Sequence, residues 1–112
     1  MSESIWLHYA RPRPHWYLLT AAEQREKQAR WDALSRRAAG EGAHFMGRYH
    51  IRGQHDFETV DVWTFPDAQA AFDYWSGLTA AAYNQWFAFA NNIGLGLEKQ
   101  AAEIRDHDNS GT

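Results

Sequence analysis

The sequence predicts a single two-layer α+β domain, in which a four-stranded sheet is covered on one side by helices. Short segments that alternate apolar and polar residues predict one strand near each end of the chain and two more around a central turn. Two longer segments with helical periodicity separate these strands. The resulting order, strand, helix, strand, strand, helix, strand, is that of a split βαβ unit, and it predicts a ferredoxin-like sandwich.

The first strand is predicted over residues 4–10. Its alternation gives one face made of Ile5, Leu7 and Tyr9 and another made of Trp6 and His8. Pro12 and Pro14 donate no backbone hydrogen bond, so the strand should give way there to a stiff, basic and aromatic loop.

Capping signals predict where the helices begin. Thr20-Ala-Ala-Glu23 forms a capping box, so a helix should start there and run to about residue 39, with Gly40 as its left-handed C-cap. Asp67, after Pro66, should cap a second helix that Ser76-Gly77 breaks.

The C-terminal part is predicted as a third helical stretch and a last strand. Thr79 is expected to cap the helical stretch over residues 80–90, and the pattern over residues 93–99 predicts the strand. We expect one domain over residues 1–104 and a frayed tail over residues 105–112.

The hairpin over residues 44–65 is the most informative segment because its two faces differ. Folded about Gln54 and His55, it places Arg48 opposite Asp61. The same register gives one polar and aromatic face, comprising His44, Met46, Arg48, His50, Thr59, Asp61 and Trp63, with Met46 opposite Trp63 and His50 opposite Thr59. The other face should form an ordinary core and comprises Phe45, Gly47, Tyr49, Ile51, Val60 and Val62.

Composition excludes several classes of function. The chain has 112 residues, 45% of them hydrophobic, no cysteine and a net charge of −3. It lacks a basic stripe for nucleic acid, an apolar run long enough for a membrane and the features of a secretory signal, so we expect a cytoplasmic protein with neither partner. Aromatic residues make up 15% of the chain, which is more than a small core readily hides and favours a ligand pocket or a subunit interface.

The polar hairpin face is the candidate catalytic site. His50 is the expected proton-transfer group, with Asp61 as its orienter and Arg48 as the holder of an anionic oxygen. His8 should join this face, because the first and third strands of a split βαβ sheet are neighbours, and it is the alternative proton-transfer group. A plain cross-strand salt bridge beside a solvent-facing histidine explains the same pattern.

Aromatic and amide side chains are the candidate ligand-binding residues, namely Trp6, Trp63, Tyr83, Trp86, Asn91 and Asn92. Core packing of the aromatics, and a helix C-cap at Asn91, are the alternatives. Gly94 and Gly96 share a strand face and would enlarge a cavity if that face is the polar one. We expect no metal site, because His44 and His50 are about 20 Å apart along a strand and no ligand motif occurs.

Three segments resemble the dimeric α/β-barrel superfamily, and most nearly its darcynin-like group and related small uncharacterised families. They are Trp16 with the capping box at Thr20, the strand-to-helix junction over residues 61–67, and the aromatic segment over residues 83–94. The resemblance implies a homodimer whose sheets close into a barrel. Superfamily members include cofactor-free monooxygenases, muconolactone-isomerase-like enzymes and haem proteins. Haem members typically use a late-helix histidine, and residues 67–97 contain none.

These observations predict a small cofactor-independent enzyme that acts on an aromatic or polyketide-like molecule by oxygenation, cyclisation or isomerisation. A non-catalytic protein that binds a hydrophobic ligand is one alternative. A haem protein that uses His8, His44 or His50 is the other.

Overall fold

The computed structural model describes residues 3–53 and 56–96, which form one four-stranded antiparallel sheet with helices on one side. The elements in chain order are β1 (Ser4–Pro12), a 3-10 turn (Pro14–Leu18), α1 (Ala21–Gly40), β2 (His44–His50), β3 (Thr59–Phe65), α2 (Ala68–Ala80), α3 (Tyr83–Trp86) and β4 (Phe87–Leu95). The predicted turn residues Gln54 and His55, the end of the predicted last strand and the predicted tail lie outside the described residues.

The sheet has the order β2-β3-β1-β4, which makes β1 and β3 the central strands as predicted. With its split βαβ connections, this is the ferredoxin-like α+β fold. Among the residues that the structure describes, no helix has the length and apolarity needed to cross a membrane.

The predicted starts of the first two helices are confirmed in atomic detail. The Glu23 amide donates to the Thr20 hydroxyl at 3.1 Å, and the Thr20 amide donates to the Glu23 carboxylate at 2.9 Å. Asp67 accepts from the Ala70 amide at 2.8 Å and so caps α2. The predicted cap at Gly40 is wrong: α1 includes Gly40, and Gly42, with φ of 104°, makes the left-handed turn.

The predicted break at Ser76-Gly77 is also wrong, because α2 runs through it. A methyl group at Gly77 would lie 3.6 Å from a Leu34 methyl, so the glycine lies where α1 and α2 approach closely. The predicted cap of the third helix at Thr79 is wrong, because Thr79 lies inside α2. The third helix is reduced to one turn, α3, and β4 begins at Phe87. Ala82 follows α2 with a left-handed φ of 66° and starts this turn.

The helices cover the sheet face that carries Trp6 and His8, and not the face expected to be an ordinary core. Ser4, Trp6 and His8 of β1 are no more than 3% exposed, whereas Ile5 is 39% exposed. The main core comprises Trp6, Trp31, Ala43, Trp63, Phe65, Ala71 and Leu78. Three tryptophans and a phenylalanine therefore dominate the space under the helices, and Ile5 lies on the opposite, open face of the sheet.

A β-bulge changes the predicted register of β2. The pairing shifts between Phe45 and Gly47, so Phe45 lies opposite Trp63 at a ring distance of 5.1 Å. The prediction that Met46 faces Trp63 is therefore wrong; Met46 is 59% exposed. Gly47, with φ of 152°, accommodates the distortion. Beyond the bulge the predicted pairings of Arg48 with Asp61 and of His50 with Thr59 are confirmed.

Candidate functional site

An open cleft of about 450 Å³ lies between α1 and the covered face of the sheet. Its sheet side is formed by Trp6, His8, Phe45, Arg48, Asp61 and Trp63. Its helical side is formed by Gln28, Trp31, Asp32, Ser35, Arg36, Ala39, Tyr74, Leu78 and Tyr83. Six of these fifteen residues are tryptophan, tyrosine or phenylalanine, and the charged groups lie on β2, β3 and α1.

Arg48 and Asp61 form a two-pronged ion pair across β2 and β3. The Arg48 Nε donates to Asp61 Oδ1 at 2.6 Å, and the second guanidinium nitrogen donates to Oδ2 at 3.0 Å. The Asp61 side chain is 11% exposed and that of Arg48 is 60% exposed. The carboxylate hydrogen bonds raise the pKa of Arg48. The ion pair uses two of the five guanidinium N–H groups, so three remain for a ligand.

His8 lies deeper, between two polar side chains from the C-terminal part of the chain. Its Nδ1 is 2.6 Å from the Asn91 side-chain oxygen, and its Nε2 is 2.8 Å from the Tyr83 hydroxyl. An amide oxygen only accepts, so Nδ1 carries a hydrogen and donates it to Asn91. Burial lowers the pKa of His8, which favours the neutral ring. Nε2 then accepts the hydrogen bond that Tyr83 donates.

Aromatic contacts hold this hydrogen-bonded chain in place. The His8 ring stacks on Trp6 at 4.9 Å and lies 5.4 Å from Trp75. The Tyr83 ring stacks on Phe87 at 5.0 Å with an interplanar angle of 8°. Burial raises the pKa of Tyr83 far above its ordinary value, so its hydroxyl keeps its proton at neutral pH.

A smaller cavity of about 160 Å³ adjoins the cleft near the end of β1. Arg48, Asp61, Tyr83 and Gln28 line both spaces. The ion pair and the tyrosine therefore stand between the cleft and its extension, where an elongated ligand would pass both.

Most predicted site residues come together around the cleft, although with changed partners. Six of them line the cleft: Trp6, His8, Arg48, Asp61, Trp63 and Tyr83. Asn91 does not line it but accepts a hydrogen bond from His8, which does. His8 shares the face of Asp61, as predicted, because the two are directly paired between β1 and β3. The alternative that Asn91 is a helix C-cap is wrong, since it lies within β4.

Other predicted residues lie elsewhere. His50 is exposed on β2 and does not line the cleft. Trp86 packs against His15 and Trp16, outside the cleft. Asn92 pairs with Leu7 and so faces the open side of the sheet. Gly94 pairs with Ile5 on that same side, so it does not enlarge the cleft.

Several wall residues are not found by sequence reasoning. Strand alternation places Phe45 on the opposite face, because it does not foresee the bulge, for which Gly47 is the available signal. Helical spacing places Trp31 and Tyr74 in buried stripes, and both also face the cleft. The same spacing predicts that Arg36 lies on the solvent-facing side of α1, but Arg36 lines the cleft. It has no ion-pair or hydrogen-bond partner among the described residues.

The comparisons with known proteins identify structural neighbours and no sequence family. No family model matches the sequence, and neither does any curated protein. A haem-binding protein of Thermus thermophilus matches with a TM-score of 0.67 and 12% identity, over 84% of this chain and 40% of that one.

Two further neighbours are a chlorite dismutase and a protein described as a proposed one. A variant of the enzyme from Candidatus Nitrospira defluvii matches with a TM-score of 0.71 and 11% identity, over 85% of this chain and 40% of that one. A proposed chlorite dismutase matches with a TM-score of 0.66 and 20% identity, over 85% and 44%. This chain therefore spans less than half the length of these neighbours. At such identities the likeness shows a shared fold.

Proposed function

We propose that this protein binds a planar aromatic small molecule that carries an acidic group, in the cleft between α1 and the sheet. The observation that carries the proposal is the combination of aromatic walls with a guanidinium that has three donors beyond those bound to Asp61. Stacking on indole and phenol rings favours a flat aromatic ligand. Arg48 and Arg36 favour a carboxylate or an enolate on it.

A buried donor adds to this case. The indole N–H of Trp6 has no hydrogen-bond partner among the described residues, although Trp6 is 1% exposed and lines the cleft. An unsatisfied buried donor costs about 1–3 kcal/mol. An acceptor atom on a bound ligand that reaches this N–H would offset that cost.

Haem is the ligand that the structural neighbours suggest. The site fits its macrocycle and carboxylates better than its iron. The aromatic walls and the two arginines suit a flat macrocycle with carboxylates. The described part of the chain offers the iron no free histidine ligand in the cleft. Both ring nitrogens of His8 form hydrogen bonds, and His15 is hydrogen-bonded to the Gln85 carbonyl. His44 and His50 lie on the exposed edge strand, away from the cleft. No three described side chains of metal-ligating type form a cluster.

The experiment compares haemin with metal-free protoporphyrin, using quenching of tryptophan fluorescence. If the ring and the carboxylates carry the binding, the two dissociation constants should agree within about tenfold. Arg48→Met and Trp63→Leu should each weaken binding of both compounds at least about tenfold. Arg25→Met and Phe72→Leu are the matched controls, because both residues are exposed and lie outside the cleft.

Each other outcome contradicts a defined part of the proposal. Tight binding of haemin alone, with a Soret band that a histidine variant abolishes, would assign a haem protein that ligates iron. No binding of either porphyrin or of a simple aromatic acid would contradict a ligand site in this cleft.

A cofactor-independent enzyme is the second candidate function, and the His8 hydrogen-bond chain favours it. A neutral imidazole whose tautomer is fixed, joined to a hydroxyl at the wall of a ligand cleft, is an arrangement suited to proton transfer. The roles proposed from sequence shift accordingly: Asn91 orients His8, whereas Asp61 is occupied by Arg48.

We also propose that a second copy of this chain covers the open sheet face. Ile5 and Tyr49 on that face are 39% and 55% exposed, and Val60 and Val62 lie beside them. An exposed apolar face of this kind marks an interface, and the resemblance to dimeric α/β barrels implies the same one. Native mass spectrometry should show a dimer that Val62→Lys converts to a monomer. A monomeric wild-type protein would contradict this assembly.

A further inference from the structure

The hydrogen-bond chain Asn91–His8–Tyr83 ends at the wall of the cleft, and ligand binding alone does not explain its layout. We propose that His8 and Tyr83 form a proton relay and that the protein catalyses keto–enol isomerisation of aromatic 2-oxo acids. This inference rests on the proposed aromatic-acid site, since the substrate would occupy the same cleft.

The relay follows from the positions of the hydrogens. Asn91 accepts from Nδ1 at 2.6 Å, which leaves Nε2 as the basic nitrogen. Nε2 points at the Tyr83 hydroxyl, 2.8 Å away, and Tyr83 lines both the cleft and its extension. His8 lines the cleft but is only 3% exposed, and its Nε2 is directed at the Tyr83 hydroxyl, so that hydroxyl connects the basic nitrogen to the ligand space. The same logic activates a hydroxyl through an adjacent, oriented histidine in nucleophilic enzymes.

Each step of the reaction balances without a cofactor or an oxidant. The C–H bond beside the ketone breaks, and its proton passes to the Tyr83 oxygen while the hydroxyl proton moves to Nε2. The electron pair forms a carbon–carbon double bond and leaves an enolate oxygen. The imidazolium then returns a proton through Tyr83 to that oxygen, which gives the enol and restores both side chains.

Arg48 accounts for the choice of substrate class. Its three remaining N–H donors suit the adjacent carboxylate and enolate oxygens of a 2-oxo acid. The aromatic walls suit a ring on the neighbouring carbon. Arg48 and Tyr83 line the same two spaces, so one ligand would contact both residues.

Backbone strain at the relay is an independent observation. Ala82, immediately before Tyr83, adopts a left-handed φ of 66° and is the one non-glycine residue among those described with a positive φ. Such a conformation costs about 1–2 kcal/mol for an alanine. Strain of this kind concentrates at functional sites, and here it sets the direction from which Tyr83 enters the cleft.

The experiment uses phenylpyruvate and 4-hydroxyphenylpyruvate with the full chain. Proton NMR in D₂O measures exchange at the carbon beside the ketone, and tryptophan fluorescence measures binding separately. Tyr83→Phe should lower the exchange rate by at least about 100-fold and change the dissociation constant by less than about threefold. Tyr17→Phe, a 65% exposed tyrosine outside the cleft, is the matched control and should retain the wild-type rate.

A pH profile separates catalysis from a structural role. The rate should fall as pH falls through the His8 pKa, because an imidazolium cannot accept the proton. Asn91→Asp places a carboxylate next to Nδ1–H, which should raise the pKa of His8. The fall in rate should then occur at higher pH than in the wild-type protein. Besides Tyr83, the groups that face His8 are Asp61 and Arg48, which this variant leaves in place.

Three results would overturn the relay. Both acids bind but exchange no faster than in buffer; Tyr83→Phe keeps the wild-type rate; or Asn91→Asp leaves the pH limb unmoved. In all three the proposed binding function stands. Failure of both acids to bind, where a porphyrin does bind, would overturn the substrate class.

Discussion

The two faces of the sheet differ because the covered face combines large aromatic rings with buried polar groups, whereas the open face leaves aliphatic and aromatic side chains partly exposed. The covered face carries a histidine, a carboxylate and two indoles, with His8 paired to Asp61 and Trp6 paired to Trp63. The open face carries mostly aliphatic and aromatic side chains, among them Ile5, Leu7, Tyr9, Val60 and Val62. In a chain considered by itself, the more polar of the two faces is the one that the helices bury.

The comparison shows that ring area and mutual hydrogen bonding decide burial here. A tryptophan removes far more apolar surface from water than a valine does, so the face with Trp6 and Trp63 gains more from the helices. His8 and Asp61 are tolerated beneath them because each has its partners within the chain. The open face keeps apolar side chains such as Ile5 and Tyr49 exposed.

The largest expected effect is a difference in the free energy of unfolding between substitutions on the two faces. Phe65→Ala on the covered face should lower the free energy of unfolding by about 3–5 kcal/mol, because Phe65 is 2% exposed. Tyr49→Ala, its aromatic counterpart on the open face, should cost under about 1 kcal/mol in dilute protein. Urea denaturation measures both. Equal losses at all protein concentrations would contradict the difference between the faces.

A smaller effect tests the ion pair within the covered face. Arg48→Met leaves the nearly buried Asp61 carboxylate without its two donors, and we expect a loss of about 2 kcal/mol. Asp61→Asn should cost about 1 kcal/mol, since the exposed Arg48 regains water. Chemical denaturation of the two variants at pH 7 gives the comparison. The reverse order would mean that the carboxylate is satisfied from elsewhere.

The buried histidine makes stability depend on pH. Burial lowers the pKa of His8 below its ordinary value of 6.5, so the unfolded chain binds this proton first as the pH falls. The contribution of His8 to the free energy of unfolding is therefore complete above about pH 6.5. Below that pH it declines by up to about 1.4 kcal/mol per pH unit. Denaturation between pH 5 and 8 should show a shallower slope in His8→Gln. An unchanged slope would indicate that His8 does not carry this dependence.

The smallest expected effect concerns the turn that delivers Tyr83 to the covered face. Ala82→Gly relieves the left-handed strain and should raise the free energy of unfolding by about 1 kcal/mol. Thermal unfolding followed by circular dichroism detects a change of this size as a higher midpoint. A lower midpoint would show that the greater backbone entropy of glycine in the unfolded chain outweighs the strain.

Local signals in the sequence predict much of the fold and part of the site. The capping residues Thr20 and Asp67 mark helix starts correctly, since a cap depends on neighbours three residues away. The pairing of Arg48 with Asp61 follows from alternation along one hairpin. Where the outcome depends on distant contacts, prediction fails: Gly77 does not break α2, and it lies against Leu34 of another helix.

The sequence by itself determined the order of elements, the central position of β1 and β3, and most of the residues that share each strand face, because these depend on local periodicity and connection rules. Only the tertiary structure decided which face the helices cover, where the bulge moves Phe45, and that His8 binds Asn91 and Tyr83 rather than Asp61. These outcomes depend on ring packing and on hydrogen bonds between residues 75 and 83 positions apart. No local pattern encodes such pairings, so the site emerges only when the chain is folded.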